Sequence, residues 1–470
     1  MSELEFDLLG EGYAAGFGRV LTAFLDHPVD VRVSRHHGHL YSTVTSAARK
    51  TPFALLELAA TSWTDVVLPT LTEHISRFRR LADEDAGPAM RQARGLFSEC
   101  VALHHAMLSP ARKAIVDLLS LSRAVLDEDQ RERGEHAILG AVTATATPTV
   151  RAAEALLDED LPEVLDDARA IALVAEGACD GDGYGLTQPG WLDDATYAHR
   201  MRGFLRRFGV TRQVLRSRLA AAADHRSEAM AELGRRCPAL SRPEVARHLA
   251  MARVGAVLAE THGPIMHVRY VHELQRLVLA HGRRAAERGV FDESQQILHL
   301  RLAELDDPVV GSRLVAARHA DYQVRLRGPL PAPVRRSWIR AARSVPPAAA
   351  ARLGGLGTQA GRRAGSRTWQ GVAAAPGAGC GPLRVLRSQP DLERLQPGDV
   401  ALVPDDGPAW GWLALAGVAL IVEHGGRLGH APALARECGA ACVVGGAGVV
   451  GLVAEGEVVK VAGDAGTVTW

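Results

Sequence analysis

One stretch constrains this chain more than any other: Glu423-His-Gly-Gly-Arg-Leu-Gly-His430-Ala-Pro-Ala-Leu-Ala-Arg-Glu-Cys-Gly-Ala-Ala-Cys-Val-Val444. It opens on a Gly pair, passes one histidine and enters a short apolar pattern carrying Arg436-Glu437. After Gly439 it gives way to the β-branched pair Val443-Val444. This spacing reads as strand, tight turn, helix, Gly cap, strand. Pro432 falls in the first helical turn, where a missing N–H costs little because that N–H would be unpaired anyway. His430 is therefore placed at a helix N-terminus, where free backbone N–H groups and the positive dipole end favour an anion such as a phosphoryl group. The same end disfavours an imidazolium and leaves a neutral ring nitrogen as a nucleophile.

These residues carry a resemblance. The pattern Gly-Gly-x-x-Ser/Thr-His-x-x-x-x-Ala-Arg-Glu-x-Gly-x-x-x-Val-Val-Gly marks the swivelling phosphohistidine domain of the phosphoenolpyruvate-utilising enzymes, which include phosphoenolpyruvate synthase, pyruvate phosphate dikinase and rifampin phosphotransferase. Gly425, Gly426, His430, Ala435, Arg436, Glu437, Gly439, Val443, Val444 and Gly445 match it. Gly429 departs from it, standing where those enzymes carry Ser or Thr, so a hydroxyl that could orient the ring or touch the phosphate is missing. The resemblance implies that His430 is the phosphorylated residue, with Gly425, Gly426, Arg427, Gly429 and Arg436 around the phosphate. Arg427 or Arg436 could neutralise the transferring group, and Arg436 could equally pair with a neighbouring strand.

Composition narrows the alternatives. Lys+Arg and Asp+Glu are equal at 54 each in 470 residues, so no global field draws in nucleic acid or an anionic membrane. The length suggests two to four domains. Lys50, Lys113 and Lys460 are the lysines, and none follows a Gly-rich loop of the Walker type. The ATP-grasp nucleotide domain that accompanies the phosphohistidine module in this family has no evident place either. Cys100, Cys179, Cys237, Cys380, Cys438 and Cys442 form no C-x-x-C pair and read as reduced small hydrophobes. The acidic N-terminus is unlike a signal peptide, and the longest apolar run, 412–422, is too short to span a bilayer, so a cytoplasmic protein is expected.

The expected architecture is multidomain, α plus α/β. Residues 1–352 read as a large, mostly α-helical substrate-binding domain, with apolar residues at three- and four-residue spacing such as Leu55, Leu58, Ala59 and Trp63. Ser109-Pro110 reads as the start of one helix. Residues 353–370, with Gly interspersed among Arg362, Arg363 and Arg367, read as a flexible arm, which fully extended could carry a domain several tens of ångströms at roughly 3.3–3.6 Å per residue. Residues 371–470 show short apolar runs at 382–386, 400–403, 418–422, 441–444, 458–461 and 467–469. Helical pieces lie between them at 390–395, 408–415 and 431–438, so this is a compact β/α module.

The helical part offers further candidates. Gly177 to Trp191 keeps the Gly, Leu, Pro and Trp frame of a segment in the antibiotic-binding domain of rifampin phosphotransferase-like proteins. Its basic and acidic residues are gone, so Tyr184 and Trp191 are implied contacts to a different ligand. Residues 244–305 resemble a second block of that family, through Glu260-Thr-His262 in place of its Glu-Asp-His and through the run 280–300. Glu260, His262, His267, Arg269 and His272 form the densest polar group, around a helix break expected at Gly263-Pro264. There Glu260 or His262 would be a general base, with His267 and Arg269 lining the acceptor site, the alternative being a hydrogen-bonded structural kink. His36, His37 and His39 lack a carboxylate or Cys spaced to complete a zinc tetrahedron, so they read as a polar pocket wall or a solvated loop and no metal site is expected. His104 and His105 sit on an apolar helix as core or pocket-lining residues.

These readings combine into an expectation. A separate ATP-grasp nucleotide-binding protein would charge His430 from ATP with Mg²⁺, this chain alone binding no cofactor. The phosphoryl group would then pass to a hydroxyl of a small-molecule acceptor in the helical domain. Loss of phosphate after that transfer would give net dehydration, a second enzymatic reading. A binding protein that kept the fold without the chemistry is a third. Nucleic acid and membrane are not expected partners.

Overall fold

Three- and four-residue apolar spacing produces helices through most of the chain, and β-branched alternation produces a sheet near its end. Both are seen in the computed structural model. It describes residues 2–25, 30–36, 39–45, 63–125, 128–142, 147–158, 186, 196–236, 238, 243–261, 269–327, 361–365 and 367–470. Contacts divide the chain into two units. The first comprises Met1–Ser109, Tyr184–Gly190 and Ile265–Pro346; the second comprises Pro110–Gly183, Trp191–Pro264 and Pro347–Trp470. Among the described residues no helix is long and apolar enough to cross a membrane.

In the first unit, helices Glu11–Leu25, Leu68–Leu81, Tyr270–Glu287 and Pro308–Arg327 and the N-terminal part of Ala86–Val125 surround a core that includes Leu4, Leu8, Leu71, Phe78, Phe97, Tyr270 and Leu274. The Ser2–Glu5 capping box starts the chain. Glu5 then accepts the Leu186 N–H at 2.7 Å, and the Gln275 amide donates to the Leu186 carbonyl at 3.1 Å. Leu186, the described residue of the 177–191 segment, is thereby fixed in this core.

The helical region is mostly helical, as expected, and also contains strands β1 (Asp30–His36) and β2 (His39–Thr45), paired as an antiparallel hairpin. Alternating Val31 and Val33, and the run Tyr41-Ser-Thr-Val-Thr45, supply the β propensity. One expectation within the helical region needs correction. Ser109-Pro110 does not begin a helix but lies inside Ala86–Val125. Buried positions continue on both sides, at Val101 and Met107 and again at Ala114, Ile115 and Leu118, so packing outweighs the hydrogen bond that Pro110 removes.

The second unit holds helices Glu128–Ala141, Pro148–Leu156, Thr196–Arg207, Arg212–Arg236 and Pro243–Thr261, together with a nine-stranded sheet. Its strands are β3 (Arg362–Gly365), β4 (Thr368–Gln370), β5 (Val372–Ala375), β6 (Ala378–Val385), β7 (Val400–Asp405), β8 (Ala419–His424), β9 (Cys442–Val444), β10 (Val458–Ala462) and β11 (Thr467–Thr469). Their order is β3-β4-β11-β10-β6-β7-β8-β9-β5, with β6 to β9 parallel and the flanking pairs antiparallel. The module's strands and helical pieces thus fall where the alternation of the sequence puts them. Within the arm expected over 353–370, Arg362–Gly365 and Thr368–Gln370 are strands, and residues 353–360 and 366 lie outside the described residues. Trp369 is the reason: its buried ring joins Val443, Val459 and Val468 in the sheet core, and its Nε1 donates to the Gly445 carbonyl at 2.9 Å.

Within this unit, helices Gly411–Leu415 and His430–Cys438 are held by the surrounding helices. Trp412 Nε1 donates to the Tyr197 hydroxyl at 3.0 Å, both side chains buried. Arg218 donates to the Leu415 carbonyl at 3.0 Å, and Arg226 to the carbonyls of Arg436 at 2.7 Å and Glu437 at 3.3 Å. The last carbonyls of a helix have no partner of their own, and arginine donors satisfy them here.

Candidate functional site

The site lies at the C-terminal ends of β7 and β8, the edge of a parallel sheet where ligands gather in α/β folds. β8 ends at His424, opposite Asp405 of β7, and a turn over residues 425–429 leads into helix His430–Cys438. Gly429 is the N-cap in extended backbone. Gly439 closes the other end in the left-handed region at φ 71°, and the Ala440 N–H reaches back to the Ala435 carbonyl. His430 is the first helical residue and is half-buried.

The turn is wrapped around Asp406. Its carboxylate Oδ2 accepts the Gly426 N–H at 2.8 Å, and its carbonyl accepts the Ala431 N–H at 3.1 Å. Two of the amides that the sequence offers to an anion are therefore donated to Asp406, and Pro432 has none to offer. Cβ atoms added at Gly425 and Gly429 would fall 2.5 Å from Asp406 Cγ and 2.0 Å from its Oδ2. Glycine at both positions is what lets the carboxylate in.

The two arginines take different parts. Arg436 is buried, and its Nη1 donates to the carbonyls of Ala374 at 2.8 Å and Arg427 at 2.7 Å. It stitches β5 to the 425–429 turn, the neighbouring-strand role. Arg427 Nη1 pairs with Glu135 Oε2 at 2.5 Å, a largely buried ion pair reaching helix Glu128–Ala141. Glu423, at the end of β8, is buried and pairs with Arg387. Burial pushes the Cys442 thiol up to about 12 and that of Cys438 higher still, so both stay protonated.

The structure thus brings Gly425, Gly426, Arg427, Gly429, His430 and Arg436 together. The candidates of the helical region are distributed differently. Glu260 lies on helix Pro243–Thr261 of the second unit, its side chain outside the described residues. The helix is described to Thr261 and the next from Tyr270, and the break expected at Gly263-Pro264 lies outside the described residues. His37, Tyr184, Trp191, His262 and His267 lie outside the described residues. Arg269 is exposed just before helix Tyr270–Glu287. His36 and His39 are cross-strand partners at the end of the β1–β2 hairpin. His104 and His105 are buried, and the His105 ring lies 4.2 Å from Phe17 and 5.5 Å, edge-on, from Tyr13. Among the described residues no three His, Cys, Asp or Glu side chains are grouped to hold a metal.

Sequence reasoning missed Asp406 and Glu135. A signal for Asp406 existed, since Asp405-Asp-Gly-Pro408 is a turn directly after a parallel strand. Glu135 gave none, because its partner is remote in sequence.

Residues 395–466 match the family model described as PEP-utilising enzyme, mobile domain. An uncharacterised protein of Mycobacterium tuberculosis is 35% identical over 205 residues, 43% of this chain and 22% of that protein. An uncharacterised phosphotransferase of Bacillus subtilis is 32% identical over 99 residues, 21% of this chain and 12% of that protein. Phosphoenolpyruvate synthase of Escherichia coli is 34% identical over 93 residues, 19% of this chain and 12% of that enzyme. The chain thus spans about a fifth or less of the length of these relatives. The segment that carries His430 is thus similar to the mobile domain of PEP-utilising enzymes.

Proposed function

We propose that this chain is a phosphotransferase component that carries a phosphoryl group on His430. The observation that carries the reading is His430 itself, the half-buried first residue of a helix inside a segment matching the mobile domain of PEP-utilising enzymes. In the first step a ring nitrogen lone pair forms a P–N bond as the P–O bond to the donor breaks. In the second, an acceptor hydroxyl oxygen attacks phosphorus, the P–N bond breaks, and the hydroxyl proton passes to a base. Glu260 and His262 are the bases we assign. The donor is ATP, held with Mg²⁺ by an ATP-grasp partner, and the acceptor is a small molecule bearing a hydroxyl.

Arg427 supplies positive charge within the turn, and Glu135 fixes its guanidinium. Arg436 acts through the backbone by holding the turn to β5.

The test is incubation with an ATP-grasp partner and ATP, followed by intact-protein mass spectrometry. The parent should gain one acid-labile phosphoryl group and His430→Asn none. Equal labelling of the two would refute the reading. Mass spectrometry of the acceptor then separates transfer, a gain of phosphate, from dehydration, a loss of water.

A further inference from the structure

We propose that Asp406 is a positioning residue for His430, its carboxylate standing where PEP-utilising enzymes of the pattern above carry the hydroxyl of residue 429. The proposal rests on the phosphohistidine reading for its purpose and on independent geometry for its substance.

Position 429 is not simply a place where a side chain has been lost. A Cβ built there would meet Asp406 Oδ2 at 2.0 Å, far inside van der Waals contact, so the carboxylate already fills the space. A Cβ built at Gly425, at the other end of the turn, would meet the same group at 2.5–2.7 Å from its Cβ, Cγ and Oδ2. Oδ2 takes the Gly426 N–H and the main-chain carbonyl takes the Ala431 N–H. One residue thus ties down the entry to the turn and the first turn of the helix on either side of His430. Asp406 is itself placed firmly: it follows β7, and the Gly407 N–H donates to Asp405 Oδ1 at 2.8 Å, an Asx-type turn. Rotating or shifting the helix start would move the imidazole, and misplacement of a reacting group by about 1 Å can cost on the order of a hundredfold in rate.

This arrangement makes Gly429 and Asp406 a compensating pair. Neither can return to the pattern of the related enzymes alone: a serine at 429 collides with the carboxylate, and loss of the carboxylate leaves the Gly426 N–H without its acceptor. Both changes together restore one oxygen in that volume.

Four full-length variants test it: Asp406→Ala, Asp406→Asn, Gly429→Ser, and Asp406→Ala combined with Gly429→Ser. Two readouts are taken. One is the rate of phosphoryl labelling at His430; the other is the rate of His430 acylation by diethyl pyrocarbonate, followed by peptide mapping, which needs no donor. Thermal unfolding identifies any variant that has not folded. Asp406→Ala and Gly429→Ser should each slow labelling about tenfold or more and change acylation about threefold or more. Asp406→Asn, which keeps the shape and an acceptor oxygen, should stay within about twofold of the parent in both, and the double variant should recover most of the loss. Asp406→Ala behaving as the parent, or a folded Gly429→Ser that does, overturns the proposal. So does a double variant no better than the worse single one. If the parent takes up no phosphoryl group, the functional reading fails by itself, and the acylation rates still decide the role of Asp406.

Discussion

His281 illustrates what one side chain can settle. It is buried in the first unit, where Arg284 Nη2 donates to its Nδ1 at 2.8 Å, so that nitrogen is the acceptor. Its Nε2, 3.2 Å from the Leu81 carbonyl, must then carry the hydrogen, and the ring is a neutral Nε2–H tautomer. Burial first, then the Arg284 charge, depresses its pKa from 6.5 to about 4. Between these values the unfolded chain binds a proton that the folded chain refuses. The stabilisation is therefore complete above about pH 6.5 and is lost as the pH falls towards about 4, a change of about 2–3 kcal/mol. His74, bonded to Tyr270 and Glu99 and depressed in the same direction mainly by burial, adds to it. Urea unfolding at pH 7 and pH 4.5 should show a smaller acid loss for His281→Gln than for the parent. Parallel losses would remove His281 as the cause. The sequence places Arg284 beside His281, three residues on in the same helix, but gives no hint of Leu81, which meets the ring only in the fold. His430, by contrast, was legible, since the Gly pair before it and the Arg-Glu-x-Gly after it are contiguous. Asp406 was not: the clue at Gly429 is an absence, and what fills it comes from the preceding strand.

At the level of elements, local signals worked best where one residue type dictates the backbone. Gly209, Gly289, Gly417 and Gly439 each end a helix at positive φ, and the residue after each donates back five positions, to Leu205, Ala285, Leu413 and Ala435. The strand–turn–helix–Gly–strand pattern of 419–444 could be read for that reason. The β1–β2 hairpin and the β3–β4 strands escaped because neighbouring composition dominated: Ala- and Leu-rich text in one case, Gly and Arg in the other. Tertiary pairing with β11 and the burial of Trp369 decided the second. Two of the Gly caps make a comparative prediction. A Cβ at Gly439 would meet Ala222 Cβ at an ordinary 3.7 Å, so Gly439→Ala should cost only the left-handed strain, about 1 kcal/mol. At Gly417 the added Cβ would press the Arg218 guanidinium at 3.0–3.2 Å and disturb its bond to the Leu415 carbonyl. Gly417→Ala should therefore cost about 1 kcal/mol more than Gly439→Ala. Urea unfolding of the two variants measures the difference, and equal costs would mean that Arg218 contributes nothing to this helix end.

If the chain is the carrier proposed above, its movement depends on what keeps His430 against the helices of its own unit. Three kinds of contact do so: the Tyr197–Trp412 hydrogen bond in a buried setting, the arginine donors to helix ends, and the Arg427–Glu135 pair beside the histidine turn. Tyr197→Phe leaves the Trp412 N–H without that acceptor at a cost of about 1–3 kcal/mol. Glu135→Gln removes the charge that meets Arg427, a comparable loss for a largely buried pair. If the module must leave these helices to be charged, weakening both contacts raises the open population. Hydrogen exchange in residues 411–415 and 430–438 should then accelerate about tenfold or more, and labelling of His430 by an external donor should speed up with it. Unchanged exchange would mean that these contacts do not hold the module. Faster exchange without faster labelling would mean that the helices travel with the histidine to the donor, so that the carrier is the whole second unit and not its sheet alone.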